Sequence, residues 1–190
     1  MSPWRLRQIA YRVARGALIA YPTDTIWGLG CHPLCDKTVL RLQKLKNRPT
    51  GKGLILLSSN IEFCRRYIDE ETYTIHYDRL SIPQQRPVTW VVAANKKCPR
   101  WLTGNNTTIA IRITDKPLIS LLCSSLKSPL TSTSANFSGR PTSRNSLLVH
   151  RYFHRHVDYI LQQDNQHSVT DTQPQASQIR DIQTNKVFRP

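Results

Sequence analysis

Leu6, Ile9, Ala10 and Val13 recur at i, i+3, i+4 and i+7, the spacing that lines one face of an α-helix. The pattern predicts a helix over residues 3–15, closed by Gly16. Ala17-Leu18-Ile19-Ala20-Tyr21 is an unbroken apolar run and reads as a buried strand. A loop over 22–30 follows. Asp36 is a plausible N-cap for a helix carrying Val39, Leu40, Gln43 and Lys44. A strand is predicted over 54–57, a short helix capped by Asn60 and running to Tyr67, and a second helix near 71–80. Then come a strand over 88–94, a polar loop with Pro99, Gly104, Asn105 and Asn106, and a strand over 108–114. Asp115 opens a helix to Leu126, with Pro117 in its first turn. A strand at 130–133 enters a loop of small residues. Residues 146–153 read as helix and 157–161 as strand. Residues 163–175 are polar and loose, and 179–182 with 186–189 suit a final hairpin. Helices alternating with strands over 190 residues mean an α/β fold. No internal repeat and no long linker interrupts the pattern, so one domain is expected over 1–190.

Composition narrows the classes. No apolar run approaches the roughly 18 residues of a membrane span, so no membrane association is expected. The five cysteines are an odd number without the spacing of a disulfide framework, which fits a reducing compartment and a cytoplasmic location. Pro33 stiffens the gap between Cys31 and Cys35, and no second paired cluster follows, so the pair is not read as a zinc site. The crowded Arg5, Arg7, Arg12 and Arg15 resemble a transit segment, but a strand follows at once and the apolar face suits a first helix of the domain. Lys and Arg total 27 against 12 acids, a net charge of +15, which favours phosphate-rich partners, whether an anionic substrate or RNA.

The common nucleotide motifs are missing. Gly51-Lys52 is followed by Gly53 and preceded at the fifth position by Lys46, which is not a P-loop. Gly28-Leu29-Gly30 meets Pro33 where the dinucleotide fingerprint needs its third glycine. Three other segments carry chemistry. Lys44, Lys46, Arg48 and Lys52 lie within nine residues, at a helix end and before a strand. Such a loop can clamp a triphosphate, or be a solvated basic turn favoured by the helix C-terminus. Ser132-Thr133-Ser134-Ala135-Asn136-Phe137-Ser138-Gly139 leaves an apolar strand, and its small residues let backbone amides approach an anion at the carboxyl edge of a sheet. Thr23, Asp24 and Thr25, in Tyr21-Pro22-Thr23-Asp24-Thr25-Ile26-Trp27-Gly28-Leu29-Gly30, can orient a small substrate or cap a turn.

Taken in order, these segments resemble the YrdC/TsaC family of threonylcarbamoyl-AMP synthases. The resemblance rests on Pro-Thr-Asp-Thr-x-aromatic-Gly-Leu-Gly, then Lys-x-Arg-Pro with a following Lys, then Ser-Thr-Ser-Ala-Asn-x-Ser-Gly. Trp101-Leu102-Thr103-Gly104 and Ala110-Ile111-Arg112-Ile113-Thr114-Asp115 are similar to its short bacterial branch. The resemblance implies a twisted mixed sheet with flanking helices around a large, basic, concave groove. It implies that L-threonine, bicarbonate and ATP are joined into threonylcarbamoyl-AMP with release of pyrophosphate. Mg2+ would ride on the phosphates, and a downstream tRNA threonylcarbamoyl transferase complex would move the group onto the adenosine next to the anticodon. Matched by motif, Thr25, Arg112 and Ser132 lie near threonine, and Lys46, Arg48, Ser134, Asn136 and Arg189 near the nucleotide, with Lys46 and Arg48 as the catalytic pair. Lys52, Thr142 and Ser177 join the nucleotide set. The carbamate nucleophile is already charged, so positioning and neutralisation of phosphate charge are the demands, without a strong general base.

The chain also departs from that family. Gln85-Arg86-Pro87-Val88-Thr89 stands where Pro-Gly precedes the strand, and Ala176-Ser177-Gln178-Ile179 replaces Pro-Ser-Thr-Ile. These departures and the net charge leave an alternative, a double-stranded RNA- or tRNA-binding protein of ribosome or tRNA maturation without catalysis. A third reading, carbamoyl transfer in metalloenzyme maturation, is disfavoured by the short chain and the lack of zinc-finger cysteines. His150, His154 and His156 have helical metal-ligand spacing, but Arg151 and Arg155 among them favour a solvated basic face.

Overall fold

The computed structural model describes residues 1–49, 51–84, 86–137, 142, 145–162 and 176–189. Helix α1 (Pro3–Ala14) begins with Pro3 in its first turn and the Ser2 hydroxyl accepting from the Arg5 amide. It buries Leu6, Ile9, Ala10 and Val13, the residues its spacing singles out. Strands β1 (Ile19–Tyr21) and β2 (Gly28–Gly30) form an antiparallel pair. Helix α2 (Asp36–Leu45) leads to β3 (Ile55–Ser58), a 3-10 helix (Ile61–Tyr67) and α3 (Glu70–Ser81). Strand β4 (Val88–Ala93), the short α4 (Arg100–Thr103), β5 (Thr108–Ile113), α5 (Pro117–Leu126) and β6 (Leu130–Ser134) follow. The described chain ends with α6 (Ser146–Phe153), β7 (Tyr159–Ile160), β8 (Gln178–Asp181) and β9 (Val187–Arg189).

The nine strands of the described residues join one sheet in the order β7-β1-β2-β6-β3-β5-β4-β8-β9. Pairs β1/β7, β3/β5 and β4/β8 are parallel and the rest antiparallel, so the sheet is mixed, as expected. Because strand side chains alternate between faces, two cores form. On one face Leu54, Leu56, Trp90, Val92, Ile109 and Ile111 pack with residues of α2, α3 and α6, including Val39, Leu42, Tyr73 and Phe153. On the other, Leu57 and Leu130 pack under Leu6, Ile9 and Val13 of α1 and Leu118, Ile119 and Leu122 of α5. Helices α1 and α5 cover only part of this second face. Ile55, Ala110, Arg112, Ser132 and Ser134 share its parity, and there they line an open cleft.

Several local expectations change. Residues 28–30, read as loop, are strand β2, and the polar loop before β5 contains α4. Asp36 is the first helical residue and not the N-cap, which is Cys35; its carboxylate accepts from the Lys37 amide at 2.7 Å. The N-cap of α5 is Lys116 and not Asp115, with no side-chain cap bond. The hairpin at the end forms, as β8 and β9. The loose segment 163–175 lies outside the described residues.

Candidate active site

Gly28 of β2 lines the site, and Gly30 fixes how closely that strand packs. A Cβ on Gly30 would lie 1.9 Å from the Thr131 carbonyl and 2.9 Å from the Tyr21 hydroxyl. Only glycine lets β1, β2 and β6 come this close, and the result sets Ser134 opposite Gly28 in register. The sequence pair reads as a failed dinucleotide motif; its physical role is strand packing.

The turn after β1 is tied by Thr23. Its hydroxyl donates to the Ile26 carbonyl at 2.8 Å, accepts from the Thr25 amide at 3.1 Å and meets the Thr25 hydroxyl at 3.0 Å. Its single proton is spent on Ile26, so Thr25 is the donor in that contact. The Thr25 oxygen in turn accepts from Nη1 of Arg112 at 3.1 Å. Nη2 of Arg112 meets Oδ1 of Asp24 in a close ion pair, with the two side chains 7% and 19% exposed. Nε of Arg112 is buried and has no hydrogen-bond partner. An unmatched buried N–H costs about 1–3 kcal/mol, and no described residue supplies an acceptor to this one. Burial lowers the Arg112 pKa, and the Asp24 charge opposes that shift.

Two further arginines are aimed by backbone carbonyls. Arg48 donates from Nη2 to the Gly53 carbonyl at 2.5 Å and from Nε to the Lys52 carbonyl at 3.4 Å. Its loop is held by Gly104, whose φ of 64° and ψ of −132° suit only glycine; a Cβ there would sit 2.3 Å from the Gly51 carbonyl. Arg189 on β9 donates from Nε at 3.1 Å and from Nη2 at 2.7 Å to the Ser177 carbonyl, and the Ser177 hydroxyl pairs with Thr89 at 2.8 Å. The altered Ala176–Ile179 motif therefore still supplies its serine. Burial lowers the pKa of both arginines, and for Arg189 the Arg112 charge adds to it.

The cleft encloses about 410 Å³. Of the residues singled out in the sequence, Thr25, Arg48, Arg112, Ser132, Ser134, Ser177 and Arg189 all line it. Lys46 and Asn136 stand behind Ser134: the Lys46 ammonium donates to the Ser134 carbonyl at 2.7 Å, to Oδ1 of Asn136 at 2.7 Å and to the Asn136 carbonyl. The Ser134 hydroxyl reaches the same Oδ1 at 2.6 Å. Lys52 and Thr142 are not among the lining residues. Residues 138–141, the end of the serine-rich loop, lie outside the described residues. Sequence reasoning did not single out Thr108, Ala110, Val91, Ile179 and Phe188, which give the cleft an apolar wall. Their one signal is parity along β5 and proximity to Arg189.

Comparison with known proteins places this geometry. The family model for Sua5/YciO/YrdC proteins, described as telomere recombination, matches residues 12–189. The chain belongs to the Sua5/YciO/YrdC family. A threonylcarbamoyl-AMP synthase of Pseudomonas entomophila (strain L48) is 40% identical over 190 residues, covering 100% of this chain and 99% of that protein. The crystal structure of E. coli YciO superposes with a TM-score of 0.78 at 23% identity, covering 99% and 89% of the two chains, and shares the fold. The crystal structure of P. abyssi Sua5 complexed with L-threonine matches with a TM-score of 0.77 at 25% identity, over 95% of this chain and 52% of that one. This Sua5/YciO/YrdC chain thus spans about half the length of that Sua5 protein. The family fold is the twisted mixed sheet with flanking helices expected from the motifs.

Proposed function

We propose that the chain is a threonylcarbamoyl-AMP synthase that joins L-threonine, bicarbonate and ATP and releases pyrophosphate. The observation that carries this reading is the orphaned Nε of buried Arg112, set in a cleft that also presents Arg48 and Arg189. Arg112 with Thr25 and Ser132 suits the substrate carboxylate and hydroxyl, since a guanidinium takes a carboxylate through paired donors. From Arg112 to Thr108, strand β5 runs about 13 Å along the cleft.

In this reading the threonine amine adds to bicarbonate-derived CO2 to give a carbamate. A carbamate oxygen attacks the α-phosphorus in line, the bond to the β-phosphate oxygen breaks, and pyrophosphate leaves. Arg48 and Arg189, locked on carbonyls, meet the phosphate charge without reorganising. Lys46 and Asn136 hold Ser134 against the nucleotide. The charged lining groups are guanidiniums, which offer no electron pair to a metal, so Mg2+ arrives on the phosphates of ATP. The product passes to a tRNA threonylcarbamoyl transferase complex in the cytoplasm. Among the described residues no helix is long and apolar enough to cross a membrane, and all five cysteines are free.

The test is pyrophosphate release from ATP with threonine and bicarbonate each supplied or omitted. Release requires both, and Arg48→Ala lowers it by about 100-fold or more. If the folded protein releases none under any combination, the enzyme reading fails and an RNA-binding role takes its place.

A further inference from the structure

Thr89 lies on β4, is fully buried and does not line the cleft. Among the described residues its hydroxyl has one hydrogen-bond partner, the Ser177 hydroxyl at 2.8 Å. A buried hydroxyl whose proton stays unpaired forfeits about 1–3 kcal/mol. Thr89 is therefore the donor of that bond and Ser177 the acceptor.

Ser177 stands just before β8 and is fixed on β4 by two bonds. The Gln178 amide donates to the Pro87 carbonyl at 3.0 Å, and Thr89 ties the serine side chain. Ser177 in turn takes one edge of the Arg189 guanidinium. Its carbonyl accepts from Nε at 3.1 Å and from Nη2 at 2.7 Å, and its hydroxyl oxygen lies 3.4 Å from the same Nη2. Arg189 depends on such a hold. Strand β9 is exposed at all three of its residues, and its pairing with β8 shifts register at Ile179 and Arg180. Arg48 and Arg112 line the same cleft, so like charge pushes an untethered guanidinium toward water. The path Thr89–Ser177–Arg189 keeps it turned to the cleft.

We propose that Thr89 is a positioning residue for the nucleotide end of the cleft, acting through Ser177 on the direction in which Arg189 meets phosphate. The proposal rests on the synthase reading, in which Arg189 takes phosphate charge of ATP. It gives a buried hydroxyl outside the cleft a share in nucleotide affinity.

Calorimetric titration with ATP and Mg2+ tests it. Thr89→Val keeps the shape of the side chain and removes the hydroxyl; it weakens ATP about 3- to 10-fold, the worth of one neutral hydrogen bond. Thr89→Ser restores a hydroxyl and returns the affinity to within about twofold of wild type. In an Arg189→Ala background, Thr89→Val costs less than about twofold more, because the group it positions is gone. An unchanged affinity in Thr89→Val overturns the proposal. A loss that Thr89→Ser does not repair, or one of the same size in the Arg189→Ala background, also overturns it, since the hydroxyl then serves the fold and not the arginine. A wild-type protein that binds ATP but releases no pyrophosphate fails the synthase reading and leaves this comparison intact. One that binds no ATP overturns both.

Discussion

Lys46 is a cation whose three donors are all spent on neighbouring oxygens: the Ser134 carbonyl and both oxygens of Asn136. The motif points to this lysine and this asparagine as nucleotide ligands, and it could not say that they bond each other 90 residues apart. In the same way Arg112 and Asp24 are both visible in the sequence, and their ion pair is not. Burial, and then the charge of Arg48, pull the Lys46 pKa from 10.5 down to about 8. Because the folded value lies below the unfolded one, the proton costs stability below pH 8, and that cost fades between about 8 and 10.5 as the native state gives the proton up first. Function moves the other way, since the neutral amine releases the serine loop. In the synthase reading, kcat/KM is therefore expected to be level to about pH 8 and to fall about tenfold per unit above it, while Tm does not fall in step. Pyrophosphate-release rates set beside thermal melts across pH 7–10 check this, and parallel declines in both would refute it.

At the level of elements, the helices that the 3.6-residue period marks are present, and the long strands β4 and β5 fall where their apolar runs predict. Strand β2 was illegible. It is three residues long with glycine at both ends, so it has no alternation to read, and its cause is a close approach to Thr131 set by β6 a hundred residues later. The caps of α2 and α5 lie one residue from the acids the sequence offers, at Cys35 beside Asp36 and at Lys116 beside Asp115, because an acidic residue there does not cap by itself. The end of α5 offers a stability test. Lys127 caps it in the left-handed region, at φ 52° and ψ 35°, which costs a residue with a Cβ about 1–2 kcal/mol. Lys127→Gly is expected to add about 0.5–1 kcal/mol after glycine's own entropic cost, or about 1–4 °C in Tm for a chain of this size. A differential scanning calorimetry comparison reads it directly; a lower Tm would mean that the lysine side chain contributes something the backbone angle hides.

For the whole molecule, the net charge of +15 and the arginine-lined cleft act together on anionic ligands. Raising salt from about 0.05 to about 0.3 M shortens the screening length by more than half. The KM for ATP is expected to rise several-fold over that range, while the KM for threonine, a zwitterion, changes by less than about twofold. Steady-state kinetics at fixed pH separate the two, and equal responses would count against charge as the source of ATP affinity. The sheet adds a different kind of asymmetry. Its last strand, β9, pairs with β8 alone and leaves Val187 and Phe188 exposed, yet it carries Arg189 into the cleft. Edge hydrogen bonds of this sort break by local fraying, so the amide protons of β9 exchange with solvent far sooner than those of β3 or β5. In the synthase reading, a nucleotide that bridges Arg189 to Arg48 would stitch that fraying edge to the middle of the sheet, and each tenfold excess over its dissociation constant would add about 1.4 kcal/mol to the opening of the hairpin. Nucleotide occupancy would then govern how long the final strand stays closed.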